Sequence, residues 1–394
     1  MVYLSIIMSS KLSTKYPHIK FAPNWRLTDR SMFLLGQCQA YVKAISRSPI
    51  LPDLYGRLLN VALIKGAQAT TAIEGNTLTE EEVGRVHQGQ HVSPSKKYQE
   101  IEVRNILNAF NDLMREIING ELCVISSELI KRFHLKVGKD LGENFEAIPG
   151  QYRTSARNVG SYKCPDHEDV EELIDSFCAW IRKEFHYEQG QEFWECVIQA
   201  IVSHVYIEWI HPFGDGNGRT GRLLEFYILI RGDNPDIGSH ILSNHYNETR
   251  PVYYKELEQA GKTGDLTKFI EYALEGLRDG LDGIIGQLQN SQIEITWHKY
   301  IYDKFAEKKY TKNVFQRQRD LILSFTPGLH SFEKVSVMDP LIAKRYANLS
   351  DKTLRRDLDE LIELGLVVKI NSEYKANVNS IVDYFPVKKT SIGK

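Results

Sequence analysis

The sequence predicts a mainly α protein with more than one domain. Apolar residues recur at the helical spacing of i, i+3, i+4 and i+7 through most of the chain, whereas the alternation typical of strands is sparse. The length of 394 residues corresponds to two or three domains of ordinary size. Hydrophobic residues make up 42% and charged residues 25%, which is the composition of a folded globular protein.

Seven segments carry the helical period clearly, and some have recognisable starts. Thr79 is followed by three glutamates, and Ser126 is followed by Ser127 and Glu128. Acidic residues in a first turn after a Ser or Thr are typical of a helix N-terminus. The predicted helices are 52–73, 98–118, 126–137, 168–185, 192–209, 221–231 and 252–290.

Strand signals occur at three places only. Residues 152–162 form a short hairpin-like stretch, and 366–370 and 373–376 flank a turn at Asn371-Ser372. We therefore predict three regions: an N-terminal helical segment at 1–90, a helical body at 91–290, and a separate C-terminal domain at 295–385.

The formal net charge of −2 hides two oppositely charged parts. Residues 295–394 contain 18 Lys and Arg against 12 Asp and Glu, so residues 1–294 contain 31 against 39. The first part is therefore acidic and the C-terminal part basic.

Composition excludes several classes of protein. No apolar stretch approaches the ~18–20 residues of a membrane span, and the apolar residues 1–7 are too short for a signal peptide core. The cysteines are widely spaced without a Cys-x-x-Cys pair, which argues against a disulfide framework or a cysteine zinc site. We expect a cytoplasmic protein with reduced thiols, no membrane partner and no secretory leader. The cysteines are Cys38, Cys123, Cys164, Cys178 and Cys196.

The most informative stretch is His211-Pro-Phe-Gly-Asp-Gly-Asn-Gly-Arg-Thr-Gly-Arg222. It follows one predicted helix and opens another from about Thr220. Its closely spaced glycines let backbone N–H groups approach a ligand, and a helix N-terminus favours an anion. Four glycines lie in this stretch, Gly214, Gly216, Gly218 and Gly221.

The side chains of the same stretch suit phosphate chemistry. Arg219 and Arg222 are three residues apart and can face one site, where guanidinium groups suit phosphate. Asp215 can hold Mg²⁺ between phosphates, and His211 can act as a general base. This set predicts phosphoryl or nucleotidyl transfer. The spacing alone leaves open a glycine-rich helix–helix turn with a capping aspartate, although it matches neither a Walker A loop nor a Rossmann loop.

Residues 211–222 resemble the signature of the Fic family (filamentation induced by cAMP), His-x-Phe-x-Asp/Glu-Gly-Asn-Gly-Arg-x-x-Arg, at every fixed position. Residues 204–208 resemble the helix that leads into the Fic loop. Residues 149–154, continuing to 159–162, resemble the Fic flap, and the pair at 253 and 254 resembles a downstream Tyr-Tyr pair. The resemblance covers about residues 20–290.

The resemblance implies a Fic-type helical core with a small β-hairpin flap, acting as a protein adenylyltransferase. Such enzymes transfer AMP from ATP to a Ser, Thr or Tyr hydroxyl of a target protein. His211 would deprotonate that hydroxyl, Asp215 would bind Mg²⁺, and Phe213 would anchor the loop in the core. Arg222 would hold the γ-phosphate.

The implied nucleotide-binding set is larger than the loop alone. Gly216, Asn217 and Gly218 would cradle the α- and β-phosphates, and Arg219 would also contact them. The flap would add the target segment as a strand and, with a tyrosine pair, line the nucleotide site. The full implied set is Gly216, Asn217, Gly218, Arg219, Thr220, Gly221, Arg222, Tyr253 and Tyr254, with Val159, Gly160, Ser161 and Tyr162 in the flap.

Two positions favour AMP transfer within the superfamily. A kinase-like relative has Lys at the position of Gly218 and lacks the arginine at the position of Arg222. This chain has both Gly218 and Arg222. Phosphocholine transfer stays open on the loop alone.

Residues 70–76, Thr-Thr-Ala-Ile-Glu-Gly-Asn, end a predicted helix with Gly75 at the C′ position. On the residues alone, Glu74 is a solvated acid in a last turn. The segment resembles the Fic inhibitory motif Ser/Thr-x-x-x-Glu-Gly/Asn. Glu74 would then pair with Arg222 and occupy the place of the γ-phosphate.

The C-terminal region resembles a winged helix-turn-helix domain. Residues 350–365 are predicted to form an amphipathic helix with Ser350 as N-cap and Gly365 as C′, and two short strands follow. By this resemblance, residues 349–364 would be the recognition helix. Basic residues near its start, Lys352, Arg355 and Arg356, suit DNA phosphates or bases. A solvated face and a protein-interaction module are the alternatives.

Two other functions stay open on the sequence. The same site could remove AMP from a modified protein, with Glu74 positioning a water. The chain could instead be a DNA-binding regulator whose Fic core only senses ATP, although an intact His211 argues against a pure sensor. A homodimer stays open as well.

Overall fold

The structure is a computed structural model, and it describes residues 12, 14–121, 123–232, 234–306 and 311–383. The apolar stretch 1–7 lies outside the described residues, as do the outer ends of the predicted regions 1–90 and 295–385. The chain divides into two compact units, residues 1–285 and 286–394. The predicted boundary at residue 90, inside the first unit, stays a prediction.

The described residues are predominantly helical, which confirms the predicted fold class. The first unit contains one short hairpin, β1 (Asn158–Val159) and β2 (Tyr162–Lys163). Its helices are α1 (Asp29–Arg47), α2 (Pro52–Ala72), α3 (Glu80–His87), α4 (Lys97–Ile118), α5 (Ser127–Gly138), α6 (Val170–Glu184), α7 (Glu192–Ile210), α8 (Asn217–Arg231), α9 (Ile241–Glu248), α10 (Arg250–Thr263) and the first part of α11 (Thr267–Ala306).

Helices α7 and α8 form the centre of the first unit. Both are buried on nearly every side, and α8 is buried at each position from 217 to 230. A helix that is buried all round lies within a core rather than at its edge. The loop between α7 and α8 is therefore held by the best-packed part of the unit.

Helix α2 ends as its sequence predicts. Gly75 has a φ of +97° and occupies the C′ position. The N–H of Gly75 bonds the carbonyl of Ala72 over 3.0 Å, and the N–H of Asn76 bonds the carbonyl of Thr71 over 3.1 Å. This pair of bonds is the Schellman arrangement, and it fixes the direction of Glu74 at the end of the helix.

The flap is shorter than predicted. The predicted strand region 152–162 pairs only at Asn158 with Lys163 and at Val159 with Tyr162. The N–H of Cys164 still donates to the carbonyl of Arg157 over 3.2 Å, but residues 152–156 form no strand. The N–H of Arg153 donates instead to the carbonyl of Pro212 over 2.9 Å.

Two helix predictions were wrong in detail. Helix α8 begins at Asn217 rather than near 220, because Gly216 takes the left-handed conformation that precedes it. The predicted helix 252–290 is interrupted after α10, since Gly264 caps it with a φ of +63°. Helices α1 and α9 lack a prediction of their own, although α1 lies in the region expected to be helical.

The second unit has its own core. It contains the end of α11, then α12 (Lys312–Leu323), α13 (Phe332–Val335), α14 (Pro340–Tyr346), α15 (Asp351–Glu363) and α16 (Asn379–Val382). Strands β3 (Val367–Ile370) and β4 (Glu373–Ala376) pair antiparallel, as predicted for the two short strands. Leu354, Leu358 and Leu361 of α15 lie in this core. The winged-helix assignment stays a prediction.

Among the described residues, no helix combines the length and the apolar character that crossing a bilayer requires.

A buried carboxylate organises the second unit. Asp357 of α15 is fully buried and accepts hydrogen bonds from Arg317 Nε over 2.6 Å and Arg317 Nη2 over 2.9 Å. It also accepts from Gln318 Nε2 over 3.0 Å and from the hydroxyl of Tyr346 over 2.9 Å. Helices α12, α14 and α15 therefore meet at one charged group.

Replacing Asp357 by alanine should destabilise the second unit by about 3 kcal/mol, because removal of one partner leaves Arg317 largely buried and unpaired. Hydrogen exchange of the full chain, followed at backbone amides of α12 and α15, would measure the loss. Asp359→Ala on the exposed side of the same helix is the control, and we expect a change within about 0.5 kcal/mol. Equal effects of the two substitutions would contradict this role for Asp357.

Candidate active site

The loop 211–216 joins α7 to α8, and its two ends have left-handed backbone. His211 follows the last turn of α7 with a φ of 50° and a ψ of 59°, and its N–H donates to the carbonyl of Ile207 over 2.9 Å. Gly216 has a φ of 76°. A residue other than glycine in this conformation costs about 1–3 kcal/mol, so the surroundings must hold His211 in place.

Buried contacts fix the middle of the loop. Phe213 is fully buried, its N–H donates to Asn217 Oδ1 over 2.8 Å, and Asn217 Nδ2 donates back to its carbonyl over 2.9 Å. The ring of His134 stacks on Phe213 at 3.7 Å. Phe213 thus anchors the loop in the core as expected.

His134 ties the loop to α5. Its Nδ1 accepts the N–H of Gly150 over 2.9 Å, so its Nε2 carries the proton and donates to the carbonyl of Asp215 over 2.9 Å. Burial lowers the pKa of His134 to about 4, which keeps the ring neutral. A neutral ring has the one donor and one acceptor that this pattern requires.

Asp215, Arg219 and Glu102 form a chain of charged groups. Asp215 Oδ1 accepts from the N–H of Gly216 and from Arg219 Nη2, the latter over 2.9 Å. Arg219 Nη1 donates to Glu102, which also accepts from Asn76 Nδ2 over 3.0 Å. Burial raises the pKa of Glu102 in spite of Arg219. In this structure Arg219 is held between two carboxylates.

The carboxylate of Glu74 lies at the N-terminus of α8. Among the described residues, no acceptor is recorded for the N–H groups of Asn217, Gly218 and Arg219, the first three of the helix. A Cβ atom at Gly218 would clash with Glu74 Oε1. Free N–H groups and the helix dipole make this position favourable for negative charge.

Arg222 joins Glu74 to the core. Its Nη2 donates to Glu74 Oε1 over 2.5 Å and to the carbonyl of Thr70 over 3.0 Å, while its Nε donates to Thr70 Oγ1 over 3.1 Å. Burial lowers the pKa of Arg222, but Glu74, together with smaller contributions from Tyr253 and Glu208, outweighs it and the pKa is raised. Nη1 lies 4.0 Å from Glu208 Oε1. One buried guanidinium is thus fixed by α2 and faces two acids.

A second buried charge cluster lies behind Arg222. His204 of α7 is fully buried, with Nδ1 at 3.3 Å from Glu225 Oε1 and Nε2 at 3.6 Å from Glu208 Oε1. The hydroxyl of Tyr253 lies 3.1 Å from the same Nε2. Burial lowers the pKa of His204, but Glu225 and Glu208 raise it to about 8. His204 is therefore a cation at neutral pH.

A cavity of about 430 Å³ opens beside this cluster. It is lined by all four predicted flap residues, by Glu208 and Trp209 at the end of α7, and by one face of α10 including Tyr254. Tyr254 donates its hydroxyl to the carbonyl of Ile73 over 3.1 Å, next to Glu74. The cavity therefore adjoins the loop and the end of α2.

Residues 124–229 match the model of the Fic/DOC family. The chain carries a Fic/DOC domain. Protein adenylyltransferase fic-1 of Caenorhabditis elegans is 30% identical over 227 residues, which are 57% of this chain and 42% of that protein. Protein adenylyltransferase Fic of Nematostella vectensis is 29% identical over 217 residues, which are 55% of this chain and 47% of that protein. The matched part is thus less than half the length of these curated relatives.

Solved structures share the fold of the Fic/DOC domain and its surroundings. A Fic family protein from Desulfovibrio desulfuricans G20 has a TM-score of 0.55 at 21% identity, covering 90% of this chain and 98% of that one. Fic-1 from C. elegans has a TM-score of 0.55 at 24% identity, covering 66% and 73%. At these identities the likeness is one of fold alone.

Most of the predicted site residues come together in the first unit. Glu74 meets Gly218 and Arg222, and the flap meets Tyr254. Three predicted nucleotide-binding residues make contacts inside the core instead. The hydroxyl of Thr220 donates to the carbonyl of Gly216 over 2.8 Å, Gly221 faces His204, and Tyr253 is buried. Their contact with nucleotide stays a prediction.

Four contributors were missed as site residues. Thr70 holds Arg222, Glu102 holds Arg219, His134 holds the loop, and Arg153 Nε donates to the carbonyl of His211 over 2.8 Å. Three of the four lie nine-tenths or more buried on helices, on faces that also carry apolar residues. The sequence does show that these polar residues interrupt an apolar helix face. That pattern does not identify the partner that each residue contacts.

The donor set suits a magnesium ion that is bound together with phosphates. Asp215 Oδ2 has no hydrogen-bond partner among the described residues, and Asp215 is about a third exposed. No cluster of three or more ligating side chains occurs in the described parts of the chain. Mg²⁺ is usually held by one or two carboxylates with substrate phosphates and waters, so a single free carboxylate oxygen fits.

The unfolding free energy should fall by about 2 kcal/mol between pH 5.5 and pH 9. The pKa of His204 is raised on folding from about 6.5 to about 8, so its contribution is complete below pH 6.5 and is lost as pH rises through 8. Urea unfolding across this range would measure the decrease. His204→Gln should be less stable at pH 6.5 and show a flatter profile, and an unchanged slope would contradict the assignment.

Proposed function

We propose that this protein is a Mg²⁺-dependent protein adenylyltransferase that transfers AMP from ATP to a Ser, Thr or Tyr hydroxyl of a target protein. The observation that carries the proposal is the contact of Glu74 with Arg222 and Gly218 at the N-terminus of α8, next to an intact His211. The N-terminus of α8, a position that favours an anion, is occupied by the carboxylate of Glu74. The named adenylyltransferase relatives support the same activity.

His211 is proposed as the general base that removes the proton of the target hydroxyl. Burial lowers its pKa, although Glu208 opposes this, so the ring is neutral at physiological pH and can accept a proton. Its Nδ1 is buried without a partner among the described residues. The hydroxyl oxygen would then attack the α-phosphorus of ATP, forming the phosphoester as the bond to the β-phosphate oxygen breaks and pyrophosphate leaves.

The start of α8 is proposed to hold the phosphates. The N–H groups of Asn217, Gly218 and Arg219 and the guanidinium of Arg222 are donors fixed in place before substrate arrives, which is how a site stabilises charge at little cost of reorganisation. Arg219 would contact the phosphates after exchanging a carboxylate partner for them. Asp215 would hold Mg²⁺, which neutralises phosphate charge when bound.

Glu74 is proposed as an inhibitor within the chain. Its carboxylate and the γ-phosphate are both anions that suit Arg222, and both cannot use the same donors. ATP that enters beside Glu74 would keep its phosphates in a non-productive arrangement. The exposed third of the Glu74 side chain offers a route for displacement.

The flap is proposed to dock the target protein. Residues 158 and 159 are exposed and form an edge strand, which is the geometry for adding a strand of another protein. Main-chain pairing fixes position rather than sequence, so several targets are compatible with it. The flap edge and the cavity beside it would thus bring target and nucleotide together.

Partners of the second unit remain proposals. Lys352, Arg355 and Arg356 are exposed near the start of α15, and Arg355 also lies 4.2 Å from the ring centre of Phe332. A winged-helix domain with these groups could contact DNA or a protein. The homodimer and the cytoplasmic location stay predictions too.

Glu74→Gly should raise AMP transfer about tenfold or more, because each 1.4 kcal/mol of competition removed is worth a factor of ten. Incorporation of label from α-labelled ATP into proteins of a cell lysate would measure it. Glu81→Gly removes a charge from an exposed position of α3 and should leave the rate unchanged. A rate of AMP transfer no higher than that of the native protein would contradict the inhibitory role of Glu74. Loss of label after adding native protein would instead indicate removal of AMP.

In the Glu74→Gly background, replacing His211 should lower transfer by about 10²–10⁴-fold, the usual contribution of a general base. His211→Asn is the better variant, since asparagine tolerates the left-handed backbone at this position and alanine does not. ATP binding, measured by calorimetry, should persist. His186→Ala at an exposed site is the control. Transfer that survives in His211→Asn would exclude His211 as the base.

A further inference from the structure

The C-terminus of α7 is capped by side chains of the flap segment. The last carbonyl groups of an α-helix have no partner within the helix and must find one elsewhere. The hydroxyl of Tyr162 donates to the carbonyl of Trp209 over 2.7 Å, and Arg153 Nε donates to the carbonyl of His211 over 2.8 Å. The N–H of Arg153 also donates to the carbonyl of Pro212 over 2.9 Å. Residues of the flap segment thus supply hydrogen-bond donors for carbonyl groups at the C-terminus of the helix that precedes His211.

The two terminal nitrogens of the Arg153 guanidinium bond the two arms of the flap. Its Nη1 donates to the carbonyl of Ser155 over 3.0 Å and its Nη2 to the carbonyl of Pro165 over 2.5 Å. Ser155 precedes the hairpin and Pro165 follows it. One planar group therefore joins both arms to the backbone of His211.

A buried arginine without a carboxylate partner needs an explanation. Arg153 is 6% exposed, and no acid lies within ion-pair distance of it among the described residues. Carbonyl dipoles at a helix C-terminus favour a cation, and the three carbonyl groups match the fork of guanidinium donors. Lysine could not reproduce this pattern, because its ammonium is a single point with no fixed fork.

We infer that Arg153 is a positioning residue that couples the flap to the general base, so that the edge strand and His211 keep a fixed separation. The inference rests on the proposed function, since it concerns how a docked hydroxyl meets His211. Arg153 does not contact the N-terminus of α8 or Arg222, so it should leave nucleotide binding alone. Tyr162 supplies a second tie at the far end of the flap, where its hydroxyl also lies 2.8 Å from His18 Nε2.

The kinetic test compares Arg153→Lys with Arg157→Lys, both in the Glu74→Gly background. Arg157 belongs to the same segment but is partly exposed and pairs with Glu146 over 3.0 Å. For Arg153→Lys we expect kcat to fall at least about tenfold with KM for ATP changed less than twofold, because misplacing a reacting group slows the chemical step without weakening the nucleotide contacts. Equal kcat values in the two variants, or a loss confined to KM for ATP, would overturn the inference.

Hydrogen exchange separates failure of this inference from failure of the proposed function. If the Glu74→Gly parent transfers no AMP, the proposed activity has failed, and exchange alone then decides the role of Arg153. Arg153→Lys should speed exchange together at the flap amides 158–163 and at the N–H of His211, whereas Arg157→Lys should leave His211 unchanged. Faster exchange in the flap with an unchanged His211 would show that the two move independently and would reject the coupling.

Discussion

The candidate active site depends on the reversal of direction between two buried helices within six residues. Helix α7 must stop at Ile210 and α8 must start at Asn217, so both ends of the loop 211–216 adopt left-handed backbone. Neither helix can shift, because each is buried on nearly all sides. The proposed general base, the proposed magnesium ligand and the N-terminus of α8 are consequently placed by the core, and contacts from α2, α5 and the flap complete the hold on the loop.

Charge is the second constraint. Arg153, His204, Arg219 and Arg222 are cations buried in the first unit, and isolated they would cost several kcal/mol each. Three of them face carboxylates, whereas Arg153 faces carbonyl dipoles. Removal of a partner would leave a buried charge without compensation, so we expect substitutions at these contacts to lower stability as well as the proposed activity.

Sequence reasoning found what local chemistry determines. The loop glycines, the Schellman end at Gly75 and the short strands near residue 370 follow from backbone preferences, and the motif at 211–222 named the polar groups of the loop. The sequence did not reveal the partners that distant helices bring to these groups. Glu102 and His134 fall on the apolar stripes of α4 and α5, but periodicity cannot say that one meets Arg219 and the other Asp215. The flap was overestimated because the N–H of Arg153 bonds the distant carbonyl of Pro212 rather than a facing strand, a contact that periodicity does not reveal.

Gly218 limits how the proposed inhibition by Glu74 can be lost. The space that a Cβ atom would occupy at this position is the space taken by the Glu74 carboxylate, and in the proposed enzyme phosphate needs it as well. In the proposed enzyme a substitution at residue 218 would therefore displace the Glu74 carboxylate and the substrate phosphate together, so it could not raise activity. Release, whether by mutation or by a regulator in the cell, has to come from the side of α2. The end of that helix is thus where natural variants with higher activity should be sought.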